Sequence, residues 1–206
     1  MPGVESVALA LDLPLFGGSR VAVELPSGIK TTEIRHTAVD ANYFDTVGIR
    51  MLSGRGFNSN DRENSPPVAV INRKMAEMFW PGQEPVGRTI MAGDPASRFT
   101  VIGVVPNGKY DDIDEAPQPF LYYALSQNYR GAISVIARTK GNPSAWVQPF
   151  ARALRGLGLH ILIDPETLDT WLNFTLFTQR VAAVCVAIPG IAACDPWPLR
   201  RDFLFR

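Results

Sequence analysis

The chain is poor in the residues that most often carry chemistry. It has two cysteines, two histidines and no surplus of charge, with 20 basic against 20 acidic side chains. That balance removes the bulk attraction that draws a protein to nucleic acid. Cys185 and Cys194 both lie in the closing apolar run. They offer neither a disulfide framework nor metal-ligand spacing, and read as small packing residues. His36 falls in an alternating stretch and His160 in an apolar one, and neither has a partner at ligand spacing. MPGVESVALALDLP lacks a basic start, and Glu5 and Asp12 interrupt its apolar residues. It does not read as a signal peptide, so the chain is expected to carry no export address of its own. The closing run, Val181 to Cys194, has 14 residues. A membrane span needs ~20, and Pro189-Gly190 breaks the helical pattern halfway.

Motifs that suggest catalysis fail on spacing. In SGIKTT, Ser27 to Thr32, Ile29 separates Gly28 from Lys30. A phosphate loop needs Gly-Lys-Ser/Thr in sequence, so this is read as a hairpin turn. Gly54-Arg55-Gly56 lacks the third glycine of a dinucleotide fingerprint and is read as a turn. Asp111 to Glu115 (DDIDE) lacks the alternating oxygens and glycine of an EF-hand and is read as a solvated acidic loop. Gly17-Gly18-Ser19-Arg20 is no nucleophile elbow. No catalytic residue, cofactor site or metal site is assigned, and the chain is expected not to be an enzyme.

What is present is a folded chain: 46% apolar and 19% charged over 206 residues, with 17 glycines and 17 prolines. This composition gives one domain or two small ones, built from short elements and many turns. Strands are expected at Ser6–Leu11, Val21–Leu25, Thr32–Val39, Val68–Ile71, Arg88–Met91, Phe99–Val105, Phe120–Ala124 and Ala132–Arg138. Ile49–Leu52 reads as extended. Asp40 reads as the N-cap of a short helix, ANYFDTV, ended by a left-handed Gly48. Asn72 reads as the cap of RKMAEMFW, whose apolar residues fall at four-residue spacing and which Pro81-Gly82 stops. AGDPAS, Ala92 to Ser97, joins Arg88–Met91 to Phe99–Val105 with the chemistry of a hairpin turn. Asn142-Pro143 starts a helix carrying Trp146, Phe150 and Leu154, and LHILI follows as a strand, a βαβ unit. Thr167 to Ala187 reads as one helix. The class is α+β with mixed sheets.

The middle blocks, taken in order, resemble a known family. Asn42-Tyr43-Phe44, Gly48-Ile49 and Leu52-Ser53-Gly54-Arg55-Gly56-Phe57 are similar to the YF…GI…L.GR.F signature of MacB-like periplasmic core domains. These occur in ABC-transporter permeases of the MacB/FtsX type. VAVINRKMAEMFWPGQEPVGRTI, then FTVIGVV and PFLYYALS, continue the likeness, which covers residues 1 to 187 and is nearest to the large duplicated permeases of soil bacteria. The signature positions are Tyr43, Phe44, Gly48, Gly54, Arg55, Phe57, Phe79, Trp80, Pro81, Pro85, Gly87 and Gly103. They read as fold-specifying: Phe79 and Trp80 as an apolar plug at a helix end, the prolines and glycines as turn residues. Arg55 and Arg88 are the polar exceptions, either bonded to loop carbonyls or exposed.

The resemblance implies a porter-like half of βαβ units, residues 1–58 with 128–166, and an inserted Sabre-like half, residues 59–127. Residues 167–187 would be a stalk entering a transmembrane helix. Residues 188–206 depart from the family and read as the tail of a truncated or frame-shifted gene. The implied role is mechanical: a domain facing the periplasm from the inner membrane, coupling ATP hydrolysis to export. Its implied partners are a cytoplasmic ABC ATPase subunit or domain, the remaining permease helices and a second permease copy, with no nucleic acid and no cofactor. The competing readings are a stand-alone extracytoplasmic binding module, a hydrolase with scattered catalytic residues, and a cytosolic regulatory domain.

Overall fold

The computed structural model describes residues 3–13, 18–25, 33–93, 97–110, 114–129, 133–156 and 166–170. The chain divides into two compact units, Met1–Lys140 and Gly141–Arg206. The first is built on one mixed sheet. Its strands are β1 (Val4–Ala10), β2 (Ser19–Val21), β3 (Val23–Glu24), β4 (Ile34–Val39), β5 (Ser53–Gly54), β6 (Val68–Asn72), β7 (Thr89–Ala92), β8 (Ser97–Val105), β9 (Phe120–Ala124) and β10 (Ser134–Thr139). They run in the order β10-β1-β4-β9-β6-β8-β7-β3, with β2 paired to β4 and β5 to β8. β4 with β9 and β6 with β8 are parallel; β9 with β6 and the hairpin of β7 and β8 are antiparallel. The α+β class and the mixed sheet follow as the residue pattern suggests.

The central strands are apolar on both faces, as strands covered on both sides must be. Every residue of β6 (VAVIN) and β9 (FLYYA) is buried. One face carries Ala69, Ile71, Val101, Val104 and Leu121 under Met75, Phe79 and Trp80 of helix α2 (Arg73–Phe79) and its end. The other carries Val70, Val105, Phe120 and Tyr122 against Tyr43 and Phe44 of helix α1 (Tyr43–Val47) and against Phe57 and Tyr110. Val101 and Val104 share a face although three residues apart. The reason is a bulge: Ala69 pairs with Val101 but Val70 with Gly103, so Ile102 is the extra residue.

Helix α2 is fixed as its sequence predicts. Asn72 Oδ1 accepts the Met75 amide at 3.0 Å, and Trp80 closes the helix with its amide on Ala76 O. At Gly48 the chain turns left-handed, with φ 79°, and Ile49 N–H returns to Phe44 O at 2.8 Å. Elsewhere the local reading needs correction. The α1 cap falls on Asn42, not Asp40, and the Asn42 side chain makes no capping bond. The stretch Val21–Leu25 is two strands, because β2 bonds to β4 and β3 to β7. Ile49–Leu52 stays outside the ladder. Its one strand-like bond is Leu52 N–H to Val104 O at 2.7 Å, and pairing begins only at Ser53–Gly54.

Unit two starts as expected. Asn142 accepts the Ser144 amide at 3.0 Å, and a 3₁₀ turn, Pro143–Trp146, leads into α3 (Val147–Arg155). The LHILI strand, the SGIKTT turn, His160, both cysteines and all of the closing run lie outside the described residues. So does the expected helix Thr167 to Ala187 beyond its first residues. Among the described residues, no helix is long and apolar enough to cross a membrane.

Candidate functional site

The signature residues meet where β5 lies on β8. Ser53 pairs with Val104 and Gly54 with Gly103. Gly54 has φ 70°, and a Cβ there would stand 2.2 Å from Ile102 O; one on Gly103 would stand 2.3 Å from Arg55 O. Only glycine at both positions lets the two backbones approach this closely. The bulge at Ile102 directs its carbonyl to the Arg55 amide at 2.9 Å. β8 thus exchanges its neighbour β7 for β5 at the bulge.

Arg55 turns from this crossing onto the following loop. Its guanidinium forks onto Asp61, with Nη1 to Oδ2 at 2.7 Å and Nη2 to Oδ1 at 2.9 Å, and Nη1 also donates to Gly56 O at 3.0 Å. Asp61 is buried at 4% exposure while the Arg55 side chain is half exposed. Asp61 Oδ2 further accepts the Asn58 amide at 2.9 Å. The Arg55 hydrogen bond holds the Asp61 carboxyl below its usual range and raises the guanidinium in turn.

Behind the crossing lies an aromatic cluster. Phe44 stacks on Phe57 and meets Tyr122 edge-on at 5.2 Å, while Tyr110 stacks on Phe120 at 3.8 Å. Burial pushes the Tyr43 phenol up to about 12, and raises Tyr110 and, further, Tyr122. Arg138 closes α1 by donating to Thr46 O at 2.7 Å. Burial also raises the Asp40 carboxyl, against the pull of the Asn42 and Tyr43 amides. Helix α1 and residues 49–57 frame an open groove of about 600 Å³, lined among others by Phe44, Gly48, Met51 and Phe57, with Asp45 and Arg50. The walls are mixed, apolar side chains alternating with charged ones.

At the end of α2, Phe79, Trp80 and Pro85 are buried, while Pro81 and Gly87 are exposed. Gly87 has φ 86° and gives its amide to Val101 O at 2.8 Å. Arg88 clamps the turn, donating from Nε to Glu84 O at 2.9 Å and from Nη2 to Gln83 Oε1 at 2.7 Å, with its guanidinium 6.0 Å from the Trp80 ring. Arg55 and Arg88 therefore both bond to loop carbonyls while staying partly in solvent.

Several organising residues give weak sequence signals. Asn72 reads as a cap, yet it also accepts the Phe120 amide at 3.0 Å and donates to Gln118 O and the Tyr110 hydroxyl. Asp61 and Gln127 sit in polar loops, where nothing local announces their long-range partners. Glu115, expected in a solvated loop, instead turns onto the loop itself, accepting the Tyr110 amide and Gln118 Nε2. Among the described residues, no three His, Cys, Asp or Glu side chains are grouped to hold a metal ion.

The model of the MacB-like periplasmic core domain matches residues 1–154. A macrolide export ATP-binding/permease protein, MacB 2 of Aeromonas hydrophila, is 29% identical over 204 residues, covering 90% of this chain and 31% of that protein. The chain thus spans about a third of that relative's length. The periplasmic region of MacB from Actinobacillus actinomycetemcomitans superposes with TM-score 0.57 at 20% identity, over 76% of this chain and 69% of that one. The extracellular domain of the noncanonic ABC-type transporter YknZ from Gram-positive bacteria gives 0.53 at 19% identity, over 76% and 78%. The two solved domains agree with this one in fold, and the sequence match over residues 1–154 carries the assignment: the chain belongs to the MacB-like periplasmic core domain family.

Proposed function

We propose that the chain works as the outer, non-catalytic domain of an ABC-transporter permease, facing the periplasm from the inner membrane. It couples ATP hydrolysis by a partner ATPase subunit or domain to export or mechanical work outside the membrane. The observation that carries this reading is the family match over residues 1–154. The character of the signature positions supports it. They close backbones, fill cores and clamp turns, as a part that transmits force requires. In this reading residues 1–58 with 128–166 form the porter-like part and residues 59–127 the Sabre-like insert. Residues 167–187 lead towards a membrane helix that packs with the remaining permease helices, and a second permease copy completes the assembly. The name of the Aeromonas hydrophila relative points to macrolides as the first cargo to test.

A chimera tests the proposal. Residues 1–154 replace the matching region of that relative, and macrolide export and ATP hydrolysis are measured in the same cells and membranes. Restored export with ATP turnover supports coupling. A folded, membrane-inserted chimera that hydrolyses ATP and exports nothing contradicts it.

A further inference from the structure

We propose that the chain's two passages between the porter-like part and the insert, residues 55–61 outward and residues 124–128 on return, are fastened into one connection by a polar latch. The naming of the two parts rests on the reading above; the latch itself stands on the geometry. Asp61 is its hub. Both carboxylate oxygens take the Arg55 fork, Oδ2 also takes the Asn58 amide, and the Asp61 carbonyl accepts the Ser126 hydroxyl from the returning passage. Gln127 is the second fastening. Its Oε1 accepts the Val68 amide at 3.1 Å, and its Nε2 donates to Ser65 Oγ at 2.9 Å, with Arg62 O and Pro66 O each at 3.2 Å.

The sequence explains why Gln127 is needed. Pro66 and Pro67 have no N–H, so Val68 offers the first amide after them, at the open start of β6. A side-chain carbonyl from the other passage satisfies it. The fastenings are anchored at their far ends. Arg55 N–H bonds to Ile102 O on β8 at 2.9 Å, and Leu125 N–H bonds to Val39 O on β4 at 2.9 Å. The amides of Gln127 and Asn128 both return to Ala124 O at 3.0 Å, which keeps the returning passage tight. A displacement of one passage is therefore handed to the other through side chains, without first unwinding the loop of residues 58–67. The two parts already share a sheet, through β4 with β9, β3 with β7 and β5 with β8, and the latch adds a side-chain fastening where the chain passes between them.

Amide hydrogen exchange on the 206-residue chain tests this, with Asp61→Asn, Gln127→Ala and the double variant. A single latch predicts about tenfold or faster exchange at Asn58, Ser65 and Val68 in either single variant, the size of one lost charge-assisted bond. It also predicts that the double variant adds little to either single one, while α2 and the middle of β9 keep their protection. If Gln127→Ala frees only Val68 and Asp61→Asn only Asn58, the fastenings are independent and the proposal fails. Loss of protection through β6 and β9 together also overturns it, since Asp61 would then support the whole core. Arg55→Lys keeps the charge but loses the fork, and should show the same local pattern more weakly if Asp61→Asn does not fold. The readout involves no transport, so failure here leaves the transporter reading to the chimera.

Discussion

On the face covered by α2, the strands present Ala69, Ile71, Val101, Val104 and Leu121 to Met75, Phe79 and Trp80. On the face covered by α1, the same central strands present Val70, Val105, Phe120 and Tyr122 to Tyr43, Phe44, Phe57 and Tyr110. The first face is held largely by shape and apolar area, which many side-chain combinations supply. The second includes buried hydroxyls, and a buried hydroxyl must find a partner in a set direction. Tyr110 does so through Asn72 and the Gly108 amide, each at 3.2 Å, and so ties residues 108–110 to the start of α2. The α2 face sets the sheet, and the α1 face registers loops and the β5 crossing upon it.

The largest expected effect lies at that crossing. Gly54→Ala combines a left-handed backbone with a Cβ 2.2 Å from Ile102 O, and should cost about 5 kcal/mol by denaturant titration. A loss below about 1 kcal/mol would show that β5 can detach freely from β8. Trp80→Ala removes the largest side chain from the α2 face and should cost about 3–5 kcal/mol. An unchanged denaturant midpoint would mean that the plug carries no load.

Asp61→Ala is expected to cost about 1.5–3 kcal/mol, because it strips the Arg55 fork and leaves the Asn58 amide unpaired. Its contribution depends on pH. The folded carboxyl titrates below the ordinary value, so the stabilisation is full above about pH 4 and is lost as pH falls through the lower folded value. Acid titration of wild type against Asp61→Ala should therefore converge below pH 4, and parallel curves would contradict the pairing. The tyrosines act in the opposite direction. Tyr43 is pushed up to about 12, so it favours the fold below about pH 10 and ceases to do so as pH rises towards 12. The Tyr43 share of the phenolate absorbance, read as wild type minus Tyr43→Phe, should appear together with unfolding; ionisation of Tyr43 near pH 10 in a folded chain would show that the α1 face is wet. Tyr122→Phe should cost less than about 1 kcal/mol, since its hydroxyl makes only a 3.5 Å bond to Tyr110.

The α2 face was the readable one. Asn72 before RKMAEMFW, Pro81-Gly82 after it and the turn chemistry between β7 and β8 are local signals, and each acts within a few residues. The α1 side is governed by contacts between distant residues. Asp40 has the better cap chemistry, yet α1 starts after Asn42: the Tyr43 amide closes a turn on Asp40 O at 3.3 Å, and the helical bonds begin with Thr46 N–H on Asn42 O at 2.9 Å. Val21–Leu25 alternates like one strand but is divided between two neighbours. The bulge at Ile102 is invisible in FTVIGVV, since it arises only from simultaneous pairing with β6 and β5. Of the signature residues, Gly54 and Gly103 were legible as special and illegible as a pair. Their reason is the approach of two backbones 49 positions apart.

The central claim is that these signature residues make shape and not bonds to a substrate undergoing reaction. The purified 206-residue chain, assayed for hydrolysis of ATP, esters and peptides, tests it most directly. The account predicts turnover no greater than the blank. Turnover above the blank that disappears on a single point substitution, in a variant that remains folded, would contradict it.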